Sequence, residues 1–443
     1  MSVSAQAASP SEEGLRRRFL RLTLLNALAG VTVPLTGLVD AAILGHLDAI
    51  HHLAGVALGA VVFDYVFWTF GFLRMATTGL AAQAVGREDP VELQRILLRS
   101  ASLALAAGAA ILLLRGALGD LAFGLLSGDV ATEASGRAYY DARVLGAPAA
   151  LANFVFLGWF LGREESRIAL MVTVVGNVTN IVLDVLFIRE FGWEARGAGL
   201  ATMAAQYLML AISLAYYLPR RAGIAAAWRR TFHTDGWRAL FGLQGDIMVR
   251  TLLLVSTFSL FTDFSARLGT QILAANALLL KLVTLAAFLI DGAAIAVESL
   301  AGIFWGAGQV ERLRRLLHLA LGFGVVFALA FTSLTTLFPE AVLGLLTKHD
   351  EVIQLGIAYR LWLVPVLLLG SIAYVYDGLF LGLTAGRQLR NAMLFSAAAG
   401  FLPLALLALH QRETHLLWAA LATFMLARCL TLGWASGRLI GAR

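Results

Sequence analysis

The stretch RVLGAPAALANFVFLGWFLGREESR, residues 143–167, returns in outline as RLWLVPVLLLGSIAYVYDGLFLGLTAGR at residues 360–387. Each opens on an arginine, Arg143 or Arg360, with a proline five residues on at Pro148 or Pro365. Each then runs through apolar residues to Phe-Leu-Gly and closes on Arg167 or Arg387. An apolar run of this length matches the roughly 20 residues a helix needs to cross about 30 Å of hydrocarbon. Its recurrence at an offset of about 220 residues marks an internal repeat. Other landmarks keep the same order: Gly71 falls on Gly292, Leu80 on Leu300 and Gly86 on Gly306. Glu92, Arg95, Leu97 and Leu98 meet Glu311, Arg314, Leu316 and Leu317.

Outward from this pair, about twelve apolar windows follow one another, at residues 16–43, 53–83, 93–115, 134–161, 166–188, 196–219, 238–264, 270–304, 313–337, 352–382, 388–409 and 413–439. The chain is 59% apolar and only 14% charged, against about half and a quarter in a soluble domain, so a water-soluble fold has no way to hide the excess. The expected fold is an all-α polytopic membrane protein of twelve helices in two pseudo-symmetric six-helix bundles around a central cleft. Its expected divisions are 1–220, a linker at 221–237, and 238–443. The first window is long, lacks a small-residue cleavage site and is followed by further spans, so it reads as a retained helix. The single cysteine, Cys429, rules out an intrachain disulfide and a cysteine metal cluster.

The 34 Lys and Arg residues exceed the 28 Asp and Glu, but their placement points to a bilayer and not to nucleic acid. Clusters at 16–21, 87–99, 163–167, 220–238, 312–315, 387–390 and 438–443 put about 21 of the 34 into alternate loops. That bias predicts that both termini are cytoplasmic. With six spans per half and the same sidedness, the repeats are parallel, related by an axis along the membrane normal. Two such bundles rocking against each other are a common design for alternating access, so a transporter is expected in preference to a duplicated channel.

Ionisable side chains at membrane depth cost a few kcal/mol each and call for a partner, a wet cavity or a bound proton. Asp40 lies deep in the first span, six residues beyond Pro34, which removes a backbone hydrogen bond and can kink the helix. In the fifth span Asn177, Asn180 and Asp184 are spaced by three and four residues and share one helical face. Thr202 and Gln206, four apart in the sixth span, can complete the group. Two carboxylates with amide and hydroxyl oxygens suit either Na⁺ or a proton; the competing reading is a polar helix–helix seam. The second half has its own set: Asp246 and Arg250, four apart and expected to pair; Lys281, Asp291 and Glu298, with the last two on one face and Lys281 a candidate partner; and Asp377. Asp64, Arg74 and Asp263 receive no role.

His46, His51 and His52 cluster in what reads as a short loop, with neither a metal-ligand spacing nor a nucleophile beside them. No phosphate-cradling Gly-x4-Gly-Lys-Ser/Thr sequence is present, so energy is expected from an ion gradient and no cofactor is expected. The alternatives are a lipid-linked precursor flippase or polysaccharide exporter of the same architecture, and an integral-membrane transferase.

Several stretches, taken in order, resemble one family along nearly the whole chain. They include Val33-Pro34 with Asp40, residues 70–79 with Ala82-Gln83-Ala84, Gly158-Trp159-Phe160-Leu161-Gly162, and Asn177-x2-Asn180-x3-Asp184. Ala266-Arg267-Leu268-Gly269 with Ala275-Asn276-Ala277, Asp291-Gly292 with Glu298, and residues 377–382 with Arg387 and Asn391 complete the set. The chain thus resembles the multidrug and toxic compound extrusion (MATE) transporters, and within them the DinF-like branch. The resemblance implies export of organic cations and other amphipathic compounds in exchange for H⁺ or Na⁺, by a chain acting as a monomer. It also implies that Asp40, Asn180, Asp184 and Thr202 form a cation or proton site, with bending at Pro34 accompanying protonation of Asp40. In the second half, only Asp377 resembles a member of the acidic pair that other branches use; Asp246, Arg250, Asn276, Lys281, Asp291 and Glu298 are the remaining candidates for a polar site there.

Overall fold

The computed structural model describes residues 12–441 apart from 48, 127–128, 222 and 232–233, and their side chains except at 12, 33, 34, 68, 226, 229, 230, 234 and 235. Among the described residues, twelve helices are long and apolar enough to cross a membrane. In the first half they are α1 (Glu13–Leu44), α2 (Ile50–Gly86), α3 (Pro90–Leu113), α4 (Val130–Gly162), α5 (Ser166–Glu190) and α6 (Glu194–Arg220). The second half holds α7 (Gly236–Leu268), α8 (Thr270–Gly306), α9 (Val310–Leu337), α10 (Asp350–Gly382), α11 (Gly386–Gln411) and α12 (Thr414–Gly441). Each apolar window falls on one of them. Helices are expected, because backbone amides and carbonyls in hydrocarbon must be satisfied within the segment itself. His51 and His52 are a difference from the reading above: they form the first turn of α2 and not a loop, and His52 reaches Glu194 at 3.1 Å.

Irregular turns within the helices have local causes. In α4 a 3₁₀ turn spans Val144–Gly146, and in α10 another spans Arg360–Trp362. Pro148 and Pro365 follow within three residues; each lacks an N–H and crowds the carbonyl four residues back, so the helix tightens there. In α5 a π turn spans Val185–Glu190, starting right after Asp184.

Small residues set the helix packing, as they do where lipid removes the hydrophobic drive between helices. Gly158 and Gly162 of α4 press on the carbonyls of Arg74 and Thr78 in α2. At the repeat offset, Gly378 and Gly382 of α10 press on those of Ala294 and Glu298 in α8. A Cβ at any of the four runs into backbone. Left-handed residues that close the turns recur at the same offset, at Glu88 and Gly308, Glu164 and Thr384, and Gly192 and Arg412.

Between the halves the contact is reciprocal. Gly86 of α2 lies on the carbonyl of Ile303 in α8, and Gly306 of α8 lies on the carbonyl of Gln83 in α2. Gln83 also donates from Nε2 to the Gly382 carbonyl at 2.9 Å and to Thr384 Oγ1 at 3.1 Å. Within the first half, Arg18, near the start of α1, donates from Nε to Glu164 in the turn after α4 at 2.6 Å. All these contacts lie toward the arginine-rich ends of the helices. The arginine-rich part of α1 crosses to the other half: Leu15, Phe19 and Leu22 are buried with Ile290, Val297 and Leu300 of α8. In return, Leu243 and Ile247 of α7 are buried with Phe72 and Leu73 of α2.

Candidate functional site: a carboxylate pair and a charged cavity

Three helices of the first half bring polar side chains together toward the arginine-poor end. Helical spacing aims Asn177, Asn180 and Asp184 of α5 at α1 and α6. Asn177 donates from Nδ2 to Thr32 Oγ1 of α1 at 2.9 Å, and Asn180 from Nδ2 to Thr202 Oγ1 of α6 at 3.4 Å. The Asp40 and Asp184 carboxyl groups lie within hydrogen-bonding reach of each other. Asp184 is fully buried, and neither of its oxygens, nor Asp40 Oδ1, meets a donor among the described residues. Two carboxylates in contact in a low-dielectric setting repel strongly, so the pair calls for a shared proton or a cation between its oxygens. The Asn180 amide and Thr202 hydroxyl are neutral oxygens suited to complete a Na⁺ shell. Gln206, in contrast, turns to α4, accepting from Asn153 Nδ2 at 2.9 Å. Pro34 lies on α1 six residues before Asp40, but its side chain lies outside the described residues.

Arg143, only a repeat landmark in the sequence, is a cation close enough to act on Asp40. Its guanidinium stacks 4.5 Å from the centre of the Phe63 ring and donates to the Tyr139 hydroxyl. An arginine carried into an apolar window five residues ahead of a proline, at the place of Arg360 in the repeat, was the signal available for it.

The second feature is a cavity of about 510 Å³ between α2 and helices α7, α8 and α10. Asp291 and Glu298 share the face of α8 that lines it, as their spacing of seven suggests, and Arg74, Arg250 and Asp377 join them. The pairings differ from those expected. Asp246 does not pair with Arg250: it accepts from Arg390 of α11 at 2.6 Å, while Arg250 engages Asp377 of α10. The two α7 residues meet different neighbouring helices, and a cross-helix partner outcompetes the stretched i, i+4 contact. Arg428 of α12, fully buried and overlooked in the sequence, binds the same Asp377 oxygen at 2.6 Å. Glu298 pairs with Arg74 at 3.5 Å, linking α8 to α2. Lys281 is exposed and forms no ion pair among the described residues, since ten residues at about 100° each leave it and Asp291 on different faces. Asn276 lies outside the cavity, donating to Ser265 Oγ and accepting from Trp418 Nε1, both at 2.9 Å. Asp263 pairs with Arg267 at 2.9 Å, and Asp64 lines the cavity.

Twelve membrane-spanning helices in two related halves, a cavity between them and ionisable groups at membrane depth define an integral membrane transporter and not an enzyme. The MatE family model matches the chain twice, at residues 27–186 and 247–406, the same offset as the repeat. The chain belongs to the MATE family of transporters. It is 41% identical over 413 residues to the DNA damage-inducible protein F of Escherichia coli, covering 93% of this chain and 90% of that one. A probable multidrug resistance protein NorM of a Synechococcus strain is 25% identical over 372 residues, covering 82% and 79%. Among solved structures, a MATE protein in its bent conformation superposes with a TM-score of 0.88 at 21% identity, covering 99% and 98%. At the repeat offset, the second-half positions matching Asp40, Asn180 and Asp184 are Leu260, Gly400 and Leu404. The carboxylate pair therefore exists in the first half alone.

Proposed function

We propose that this transporter is a secondary antiporter that exports organic cations and other amphipathic compounds in exchange for H⁺ or Na⁺ by alternating access. The observation that carries this reading is the Asp40–Asp184 pair: Asp184 is fully buried, and neither of its oxygens nor Asp40 Oδ1 meets a donor among the described residues, an arrangement suited to a proton or a cation. Asn180 and Thr202 add to that site, and Asn177 ties it to α1 through Thr32. The coupling route runs along α1, whose outer part bears Asp40 and whose inner part is buried against α8 of the other half. Pro34 lies between the two and serves as the hinge. An ion shifts the balance between two conformations only when it binds them unequally, and a bend at Pro34 separates Asp40 from Asp184 in one of them.

The two bundles, 1–220 and 238–443, act as the moving bodies, with 221–237 as the linker. The arginine-rich side, with both termini, faces the cytoplasm of a bacterial inner membrane, and the chain acts as a monomer. The name of the NorM relative, a probable multidrug resistance protein, supports the substrate class. Against a flippase for pyrophosphate-bearing lipids stands the state of the cavity arginines: Arg74 and Arg250 are both engaged by carboxylates.

Reconstituted in liposomes, the parent is expected to export rhodamine 6G under an imposed ΔpH or Na⁺ gradient, and dependence on one of them alone identifies the ion. Asp40→Asn and Asp184→Asn should each lower that rate by roughly tenfold or more, because an ion with no differential affinity shifts nothing. Their dye binding and membrane abundance should stay at the parent level. Parent-like rates in both variants defeat the proposal.

A further inference from the structure

We propose that Arg99 of α3 clamps the chain between the two halves onto the first of them, so that only the stretch from Thr231 to Gly236 is free to extend when the halves part. This rests on the alternating access proposed above and adds a limit to how far the arginine-rich ends separate.

Fifteen residues separate Arg220, where α6 ends, from Gly236, where α7 begins, and a chain of that length reaches about 50 Å when extended. The first three turns of α3 hold it far shorter. At its start, Gln94 donates from Nε2 to the Arg220 carbonyl at 3.3 Å and accepts from the Tyr217 hydroxyl at 2.8 Å. A short helix, Ile224–Thr231, then packs on α3, with Ala227 and Thr231, one turn apart on one face, fully buried. The end of a helix leaves carbonyls without partners. Here the Thr231 carbonyl accepts from Arg99 Nε and from Trp237 Nε1, both at 3.0 Å, and a guanidinium at that place also answers the partial negative charge of the helix end. Arg99 is itself buried and is backed by Glu92 at 3.7 Å, which holds Arg95 at 2.7 Å with its other oxygen. The guanidinium fills the space that a side chain at Gly236 would need. One residue of the first half thus touches both the end of the short helix and the start of α7.

Beyond the clamp, α7 has a face toward each half. Leu243 and Ile247 are buried with Phe72 and Leu73 of α2, while Asp246 accepts from Arg390 of α11 and Arg250 engages Asp377 of α10. Farther along, Phe261 and Phe264 are buried in the core of the second half. When the arginine-rich ends part, the body of α7 travels with the second half and the short helix stays on α3. Five Cα-to-Cα steps join Thr231 to Gly236, and they extend to about 17 Å, a third of the unclamped reach. Slack added before Thr231 has no effect as long as Arg99 holds; slack added after it lets the ends move farther apart.

The test uses the full chain in lipid nanodiscs, spin-labelled at Arg87 and Gln309 in a Cys429→Ala background. Double electron–electron resonance reads the separation in acid and in alkali, with and without Na⁺ and rhodamine 6G. A Gly-Ser-Gly-Ser insertion after Arg221 should leave the longest separation, and export from liposomes, at the parent level. The same insertion after Thr231 should lengthen that separation, by up to about 13 Å. Combined with Arg99→Gln, the insertion after Arg221 should lengthen it as well, and in Arg99→Gln the amides of residues 224–231 should exchange with deuterium about tenfold faster or more. An insertion after Thr231 that changes nothing overturns the proposal, as does equal lengthening by both insertions with Arg99 in place, or parent-like exchange in Arg99→Gln. Should Arg99→Gln not fold, the two insertions decide by themselves. A parent with one separation under every condition overturns alternating access and the clamp with it. Two separations in the parent, with no response to the insertion after Thr231, overturn the clamp alone.

Discussion

Replacing Asp377 with leucine is expected to deplete folded protein from the membrane. The carboxylate is the shared partner of Arg250 and of Arg428, the latter fully buried in α12. Removing it strands two guanidiniums in a low-dielectric core, and breaking a buried pair in this way costs about 3–5 kcal/mol. That is a large share of a total stability of order 5–15 kcal/mol. The same physics predicts a rescue, because apolar residues of similar volume commonly replace a buried ionic group without loss. Asp377→Leu combined with Arg250→Met and Arg428→Met should recover most of the melting temperature. Thermal unfolding of the purified variants in detergent checks both: a single variant that melts with the parent, or a triple variant no better than the single one, contradicts the account.

A second large effect is expected at the glycine seam. Gly86→Ala and Gly306→Ala each put a methyl group onto a carbonyl of the opposite half, and neither backbone yields without parting the halves. Overpacking of this kind costs about 1–3 kcal/mol, enough to move a balanced two-state equilibrium roughly five- to 150-fold. The variants should therefore open on the arginine-rich side and lose most of their export rate. Spin labels at Arg87 and Gln309, in a Cys429→Ala background, should report longer separations than in the parent by double electron–electron resonance. The double variant should fall short of the summed single effects, because a seam already parted meets no second clash. Gly322→Ala, where a Cβ meets nothing within 4 Å, should behave as the parent, and equal distances in all five proteins would refute the mechanism.

The twelve helices were legible because hydrocarbon leaves the backbone one economical solution, and apolar length alone reports it. The repeat was legible from glycines, prolines and turn arginines, the residues whose positions backbone contact fixes most tightly. Periodicity placed Asn177, Asn180 and Asp184 on one face, and the structure turns that face to Asp40 and Thr202. Partner choice among the second-half charges was not legible. Asp246 and Arg250 look like a helical pair until α11 offers Arg390 to one and α10 offers Asp377 to the other. One-helix periodicity fixes which face a residue occupies, but not which neighbour that face meets. Arg428 is harder still, since it is a lone charge in an apolar run whose carboxylate partner lies on another helix. The π turn after Asp184 has no proline or glycine to announce it, whereas Pro148 and Pro365 announce the 3₁₀ turns in α4 and α10.

The seam has a further consequence. Gly86 meets residue 303 while Gly306 meets residue 83, so the contact is isologous: one patch serves as both surfaces, as in twofold dimers. A six-helix unit carrying that patch once already holds everything needed to pair with a copy of itself. Matching is then demanded only where the copies touch near their axis. Away from it each half is free to diverge, and Asp40 and Asp184 in one half stand at the positions of Leu260 and Leu404 in the other.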